Sequence, residues 1–328
     1  MLTLLQREEY GFLPPAPDAM RTSASTMLGN FCAGKATLER VEITVHVGEG
    51  EFTFPVYAAI PSAAGPHPFF IHVNFRDAVP DRYMPTEELI DHGFAVLSFC
   101  YTDVTSDDGD FQNGLAALFY PDGVRRPTDA GKIALWAWAC HRVMDFARTD
   151  RRLDPTCATV CGHSRLGKTA LLAAATDERF AFAHSNDSGC SGASLARGKC
   201  EGGERIADIC RNFSFWFCEN YLRYVNAEDT LPFDQHALLA CIAPRRVYVA
   251  SAAEDTWADP VSEYLACVAA SEAYAAHSID GFVCSDRLPQ VGDAFHAGHI
   301  GYHLRAGKHY FSREDWGLLM AYIQFHRK

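Results

Sequence analysis

The sequence predicts an α/β fold in which a mostly parallel sheet has helices on both faces, a three-layer α/β/α sandwich. Short apolar segments such as Phe69–Val73 alternate along the chain with helical segments such as Asp129–Arg148. Hydrophobic residues make up 48% of the 328 residues, which is enough for a substantial core. No linker or internal repeat is visible, so we expect one domain over residues 1–328.

The first half of the chain begins with a segment that has no clear period. Residues 1–38 contain Pro14-Pro15-Ala16-Pro17 and are predicted to be an irregular leader. Val41–Val47 and Phe52–Ile60 alternate at period two, which predicts an antiparallel strand pair. The elements expected next are a strand at Phe69–Val73, a helix at Thr86–His92 that ends at Gly93, a strand at Phe94–Tyr101, a solvated or locally capping acidic loop at Asp103–Asp110, and a helix at Asp129–Arg148 with Trp136 and Trp138 in the core.

The second half continues the alternation and contains one long interruption. Residues 189–232 carry a cluster of aromatic side chains and no strand pattern, so we interpret them as an insertion near the functional site. The final helix is predicted to start near Ser312, because Asp315 three positions later resembles a capping box. The other expected elements are strands at Ala158–Cys161, Phe180–Ser185, Arg246–Ser251 and Ile300–Arg305, and helices at Ala170–Ala175 and up to about Ala276.

Composition excludes some classes of function. The formal charge of −12 disfavours a nucleic-acid surface. No apolar stretch approaches the roughly 18 residues of a membrane helix, and Gln6-Arg7-Glu8-Glu9 interrupts any signal-peptide core. The twelve cysteines are scattered and form no CxxC pair, which is typical of reduced, buried thiols. We therefore expect a cytoplasmic protein, or a secreted one if a leader has been removed.

The segment with the most chemical information is Gly162-His163-Ser164-Arg165-Leu166-Gly167-Lys168-Thr169. It follows an apolar strand and opens an Ala/Leu-rich helix, which is the context that a nucleophile elbow needs. The glycines allow two backbones to pass closely, so the serine is exposed on a tight turn. The first N–H groups of the helix can then stabilise an anion beside it. The spacing G-x-S-x-x-G is one residue longer than the common G-x-S-x-G.

Two other interpretations fit the same residues. Gly162-x4-Gly167-Lys168-Thr169 formally matches a phosphate-binding loop, which would make the protein a P-loop nucleotidase. Such loops usually lie near the start of their domain, and no downstream strand ends in a suitable magnesium-binding aspartate. A plain glycine-rich turn is the other alternative.

A nucleophilic serine needs a base, and the base needs a carboxylate. In α/β hydrolases these residues follow the serine in the order acid, then histidine. His309 lies between the last predicted strand and the last helix, where that fold places its base. The acid is either Asp255, after the strand Arg246–Ser251, or Asp187, after the strand Phe180–Ser185, and the sequence leaves both open, with Glu254 and Asp259 as weaker candidates.

Three further histidines have the spacing H-x2-H-x3-H, which is found in metal sites. They are His296, His299 and His303. Gly298 and Gly301 interrupt the stretch and disfavour a helical face of ligands. We therefore expect no metal and interpret these histidines as exposed or hydrogen-bonded.

The motif Gly162-x-Ser164-Arg165-x-Gly167-Lys168 resembles the nucleophile motif of the glucuronoyl esterases, carbohydrate esterase family 15. The resemblance extends over roughly residues 40–326 and is greatest to the bacterial branch, whose members are often labelled acetyl-xylan esterases or α/β hydrolases. The other segments that carry it are Asn186-Asp187-Ser188-Gly189, Phe233-Asp234-x-His236, Ile242-Ala243-Pro244-Arg245 and Asp255-x-Trp257.

The resemblance implies an α/β-hydrolase fold, no cofactor, and a role for each matching residue. Ser164 would be the nucleophile and His309 the base, with Asp187 at the position of the family's catalytic Glu and Asp255 at the acid position of some bacterial members. Arg165 would serve the oxyanion hole with its N–H and its guanidinium. Lys168 and Trp257 would contact the sugar acid, and Glu204 lies near the place of a further family contact. His163 replaces a cysteine that forms a disulfide in fungal members.

The sequence thus predicts a serine esterase that acts on a small carbohydrate ester, most simply a 4-O-methyl-glucuronoyl ester. The alternatives are an acetyl-xylan or other carbohydrate acetyl esterase, the P-loop nucleotidase, and a catalytically silent carbohydrate-binding relative. We expect no nucleic-acid or membrane partner. The natural alcohol and the oligomeric state are not encoded in any pattern that we find.

Overall fold

The computed structural model describes residues 1–327, and its central feature is one sheet of ten strands. The strands are β1 Ala19–Phe31, β2 Ala36–Val47, β3 Gly50–Pro61, β4 His67–Asn74, β5 Ala95–Cys100, β6 Leu153–His163, β7 Phe182–Asn186, β8 Arg246–Ala252, β9 Ala294–Phe295 and β10 Ile300–Arg305. Their order across the sheet is β1-β2-β3-β5-β4-β6-β7-β8-β10-β9.

The helices lie between these strands and at both ends of the chain. They are α1 Leu2–Leu5, α2 Thr86–Asp91, α3 Tyr101–Val104, α4 Gly114–Phe119, α5 Lys132–Ala147, α6 Arg165–Thr176, α7 Ile206–Phe213, α8 His236–Ala240, α9 Pro260–Ala275 and α10 Arg313–His326. A π-helical turn, Gln6–Tyr10, follows α1 directly. Within residues 1–327, no helix combines the length and the hydropathy that spanning a membrane requires.

The six central strands, from β5 to β10, pair in parallel, whereas β1, β2 and β3 at one edge and β9 at the other pair antiparallel. This confirms the α/β-hydrolase architecture with a mostly parallel sheet. Every residue of β4 and β5 is buried, as expected for strands covered on both faces.

Alternate residues of the central strands enter two different apolar clusters. Phe69, Ile71 and Val73 of β4 pack in a large cluster with α5, α6 and α9. Phe70 of the same strand packs in a second cluster, with residues of α2 and α10. Because side chains of a strand alternate between faces, helices cover both faces of the sheet.

The expectation of an irregular leader over residues 1–38 is wrong. This segment contains α1, the π-helical turn and the thirteen residues of β1, which pairs with β2 from Ala19–His46 to Phe31–Ala36. Nearly every residue of β1 is exposed, because β1 is an edge strand held by backbone hydrogen bonds. Without a buried face, its sequence shows no apolar alternation.

Residues 189–232, which we interpreted as an insertion, connect β7 with α8 through α7 and three short 3₁₀ turns. Several of its aromatic side chains are buried, among them Trp216, Phe217 and Tyr221. Two other expectations are confirmed: Trp136 and Trp138 of α5 are buried, and Ser312 and Asp315 form the capping box of α10.

Candidate active site

Ser164 lies at the junction of β6 and α6 with φ +58° and ψ −128°. Residues with a side chain rarely adopt this backbone conformation, and such strain is often found at functional sites. The close approach that it requires depends on Gly162, where a Cβ atom would lie 2.2 Å from the Leu166 carbonyl oxygen. The local geometry is therefore the strand–turn–helix of a nucleophile elbow.

Backbone hydrogen bonds fix this turn. The Ser164 N–H donates to the Asn186 carbonyl of β7 at 2.8 Å, and the Gly167 N–H donates to the Ser164 carbonyl at 2.8 Å. Arg165 is the first residue of α6, where the helix itself supplies no acceptor for the N–H. That N–H is therefore suited to bind an anion beside Ser164.

His309 lies between β10 and α10, and its Nδ1 is 2.6 Å from Asp255 Oδ2. Asp255 follows β8 and is 7% exposed. Ser164 and His309 line the same two cavities, so the structure brings the predicted nucleophile, base and acid together. The second ring nitrogen of His309 is free of Asp255 and is the one that can exchange a proton with substrate or Ser164.

Asp187, the other predicted acid, is at the end of β7 and is 1% exposed. Its Oδ1 accepts the Ala252 N–H at 2.8 Å, and its Oδ2 accepts from Arg305 Nη2 at 3.2 Å. Burial, reinforced by the neighbouring Glu263, raises the pKa of Asp187 well above its usual value. Asp187 thus lies beside the histidine but is bound to other partners.

An oxygen of Asp187, an oxygen of Asp255 and a ring nitrogen of His309 lie within 4.8 Å of one another, a spacing that metal ligands share. All three residues have partners within the protein, through the hydrogen bond between His309 and Asp255 and the ion pair between Asp187 and Arg305. The geometry of this group is therefore that of an acid–base centre with two carboxylates.

The three remaining late histidines have separate partners. His296 Nε2 lies 2.8 Å from the Tyr248 hydroxyl, His299 Nδ1 lies 2.8 Å from the Pro244 carbonyl, and His303 Nε2 lies 2.8 Å from Asp315. Within residues 1–327 they do not join a group of metal ligands. The interpretation as hydrogen-bonded histidines agrees with this arrangement.

The guanidinium of Arg165 is held by an ion pair with Asp107 and by aromatic rings. Its Cζ lies 4.5 Å from the ring centre of Trp216, 5.1 Å from that of Phe213 and 5.7 Å from that of Phe75. The expectation that the acidic loop Asp103–Asp110 is merely solvated or capping is wrong for Asp107. No pattern along the chain indicates this pairing, because the two residues are 58 positions apart.

The predicted substrate-binding residues Lys168, Glu204 and Trp257 line a cavity of about 350 Å³ next to Ser164. Lys168 Nζ donates to the Ser188 carbonyl. Burial lowers the pKa of Lys168, and the nearby Glu204 opposes that shift. Burial raises the pKa of Glu204, against the effect of Lys168. Trp257 is 53% exposed at the rim, so the cavity has a buried cation, a carboxyl group and an aromatic edge.

A second cavity, of about 310 Å³, is also lined by Ser164 and His309. Its lining includes Phe75, Arg76, Tyr83 and His163. The ring of His163 lies 4.4 Å from that of His309, centre to centre. Burial, and next the proximity of His309, lowers the pKa of His163 to about 3, so this ring is neutral beside the base. Ser164 therefore borders both cavities.

The same contacts disfavour the phosphate-loop alternative. In a phosphate loop the lysine reaches the phosphates and the Thr hydroxyl binds Mg²⁺. Here the Thr169 hydroxyl donates to the Arg165 carbonyl at 3.1 Å, and Lys168 donates to Ser188. Both side chains have partners within the protein.

A serine on a strained strand–helix turn, beside an Asp–His pair at the carboxyl ends of parallel strands, defines an α/β hydrolase. The family model described as "Glucuronyl esterase, fungi" matches residues 43–278. The chain therefore belongs to the glucuronoyl esterase family, carbohydrate esterase family 15, which confirms the resemblance carried by the motifs.

Individual relatives agree with this assignment. The chain is 39% identical to carbohydrate esterase MZ0003 from an unknown prokaryotic organism over 242 residues, which are 73% of this chain and 55% of that protein. It is 30% identical to a 4-O-methyl-glucuronoyl methylesterase of Podospora anserina over 273 residues, 80% of this chain and 52% of that protein. The chain thus spans about half the length of these curated relatives.

Two solved structures are similar over nearly the whole chain. A promiscuous esterase of carbohydrate esterase family 15 from the marine bacterial metagenome has a TM-score of 0.88 and 30% identity, covering 99% of this chain and 89% of that one. A glucuronoyl esterase from Solibacter usitatus has a TM-score of 0.88 and 29% identity, covering 98% of this chain and 90% of that one.

Proposed function

We propose that this protein hydrolyses glucuronoyl esters through an acyl-enzyme on Ser164. The observation that carries the proposal is one cavity that contains a strained serine, a histidine bound to a carboxylate, and a buried lysine: Ser164, His309 with Asp255, and Lys168. Ser164, His309 and Asp255 supply acyl-transfer chemistry. The buried Lys168 favours the binding of a polar, anionic or hydroxyl-rich acyl group in this cavity.

In the proposed mechanism His309 accepts the Ser164 proton as Ser164 Oγ attacks the ester carbonyl. Asp255 holds the imidazole and stabilises its charged form. The Arg165 N–H and guanidinium bind the tetrahedral oxyanion. His309 then protonates the leaving alcohol, and water activated by His309 releases the uronic acid. Asp187 is proposed as a second, weaker acidic partner of His309.

The two cavities suggest how the two halves of the ester are placed. We assign the uronate to the cavity with Lys168, Glu204 and Trp257, because this cavity offers hydrogen bonds and an exposed indole edge to a sugar ring. The alcohol then leaves through the cavity with Phe75, Arg76 and Tyr83. The name of the Podospora relative, a 4-O-methyl-glucuronoyl methylesterase, supports the choice of acyl group.

An acetyl-xylan or other carbohydrate acetyl esterase is the second candidate. The marine relative is described as promiscuous, and the same triad would serve an acetyl ester. The two candidates differ in whether Lys168 and Trp257 are needed.

The test is the hydrolysis of methyl 4-O-methyl-glucuronate and of acetylated xylan oligosaccharides, measured side by side. We expect the uronate ester to have the higher kcat/KM, and Ser164→Ala to lower kcat by about 10⁴–10⁶. A higher kcat/KM on the acetylated substrate would favour the acetyl esterase. Undiminished turnover by purified Ser164→Ala would exclude the serine mechanism.

We also propose a reducing, cytoplasmic setting for this chain. All twelve cysteines are free, and most are buried, which is the usual state of thiols in such a compartment. Cell fractionation with an antibody against the protein tests this directly: recovery in the culture medium would contradict it.

A further inference from the structure

We propose that Asp107 is a positioning residue that orients the Arg165 guanidinium toward the oxyanion, and that it ties residues 189–232 to the catalytic turn. The inference rests on the proposed esterase function and goes beyond it, because no feature of the nucleophile motif points to Asp107. Several donors converge on the Asp107 carboxylate.

Three side chains from different parts of the chain donate to Asp107. Arg165 Nη1 pairs with Oδ2, the Tyr101 hydroxyl donates to Oδ2 at 3.0 Å, and Trp216 Nε1 donates to Oδ1 at 2.7 Å. The Asp107 side chain is 14% exposed. Charge-assisted hydrogen bonds are the stronger ones, and the bonds from Tyr101 and Trp216 hold the carboxylate in place, so Asp107 restricts the guanidinium through Nη1.

Aromatic rings restrict the guanidinium on its other sides. Phe213 and Trp216 stack with ring centres 4.0 Å apart and an interplanar angle of 5°, and Arg165 lies against both rings. The indole that stacks on Arg165 is the same one that donates to Asp107. The carboxylate therefore aligns both the cation and the ring that confines it.

The guanidinium of Arg165 is not fully paired among the described residues. Its Nε is buried and has no acceptor among residues 1–327. A buried donor without an acceptor is costly, so the position of the guanidinium depends on its ion pair with Asp107. Because Nη1 pairs with Asp107, the carboxylate opposes rotation of the guanidinium away from this arrangement.

Asp107 also brings a negative charge close to the developing oxyanion. If its charge mattered more than its geometry, removing that charge would strengthen the field of Arg165 and raise kcat. If positioning dominates, the same change lowers kcat. The sign of the effect therefore separates the two roles.

The experiment measures kcat and KM on methyl 4-O-methyl-glucuronate for Asp107→Asn, Arg165→Ala and the double variant. Removal of one oxyanion donor lowers kcat by about 10²–10³. We therefore expect Asp107→Asn to lower kcat by at least about tenfold and by no more than about 10³, and to change KM far less. In the Arg165→Ala background Asp107→Asn should have no further effect on kcat, because both act through one group.

Asp108→Asn is the matched control, since Asp108 is exposed in the same loop and, among residues 1–327, accepts only from Ser106 and Asp110. Its kcat should equal that of the wild type. If Asp107→Asn does not fold, Tyr101→Phe replaces it: loss of one donor to Asp107 should lower kcat less, and again only when Arg165 is present.

An unchanged or raised kcat for Asp107→Asn overturns the proposal, and so do additive losses in the double variant. If the wild-type protein shows no esterase activity that depends on Ser164, the proposed function is overturned as well. The two failures are distinguishable, because the first occurs in an active enzyme.

Discussion

His309 donates its Nδ1 proton to Asp255 across 2.6 Å, although a second carboxylate, that of Asp187, lies in the same group. The reason is competition for partners. Asp187 is occupied by the Ala252 N–H and by Arg305. Within the described part of the chain, Asp255 has besides His309 only a long contact from the Ala258 N–H, at 3.4 Å. The partner of the base is thus decided by what surrounds each acid.

This relationship predicts unequal losses when each acid is neutralised. Asp255→Asn should lower kcat on a soluble ester by up to about 10⁴, the value for an orienting carboxylate that acts alone. Asp187→Asn should lower it less, and the double loss should exceed the sum of the single losses because each acid can partly replace the other. A double-mutant cycle on kcat measures this. The ranking is wrong if Asp187→Asn is as damaging as Ser164→Ala while Asp255→Asn is silent.

Lys168 is expected to act in binding. Lys168→Met keeps most of the apolar stem and removes the cation from the cavity, so KM for a uronate ester should rise well above its change for an aryl acetate. Steady-state kinetics on both substrates tests the difference. Lys35→Met, at an exposed ion pair with Glu87 and Asp91, is the control and should leave both KM values unchanged. Equal effects of Lys168→Met on the two substrates would indicate that Lys168 has a structural role, and would favour the acetyl-esterase alternative.

Glu9 predicts a pH-dependent stability. It is fully buried, and its two carboxyl oxygens accept from Gln235 Nε2 at 2.8 and 2.9 Å. Burial raises the pKa of Glu9 from its ordinary value of 4.5 to about 8. Between these values the folded state holds a proton that the unfolded state has lost. The contribution of Glu9 is therefore present below about pH 4.5 and is lost as pH rises toward 8.

The variant that tests this is Glu9→Gln, whose amide does not ionise. The free energy of unfolding of the variant relative to wild type should increase from about pH 5 to pH 8, as measured by chemical denaturation at several pH values. Glu49→Gln in an exposed turn serves as the control. A difference between Glu9→Gln and wild type that does not change with pH would show that Glu9 does not titrate in this range.

Gly162→Ala tests the catalytic turn. The added Cβ would meet the Leu166 carbonyl at 2.2 Å, so the turn must move and Ser164 must leave its position. We expect a large loss of kcat together with a lower Tm. Gly29→Ala is a suitable comparison, since nothing lies within 4 Å of its Cβ, and it should behave as wild type. Full activity of Gly162→Ala would mean that the strained turn is not required.

The central strands, their helices and the catalytic turn were predictable because their signals are local. Strands such as Phe69–Val73 are apolar runs buried on both faces, and the glycines around Ser164 mark a turn that few other residues allow. The spacing of Ser312 and Asp315, that of a capping box, is enough to predict the start of the last helix. Chain order, together with the family motifs, was enough to select Ser164, His309, Asp187 and Asp255 as candidates.

Contacts between distant segments were decided only in the folded chain. The sequence could not rank Asp187 and Asp255, because the ranking depends on Arg305 and a backbone N–H that reach one acid and not the other. It gave no sign of β1, whose pairing uses backbone groups that all residues share. Nor did it link Asp107 with Arg165 and Trp216, which meet because the sheet brings the segments that follow β5, β6 and β7 to the same edge. Patterns along a chain report burial and turns, whereas the partner of a polar side chain is set by which ends of which strands lie together.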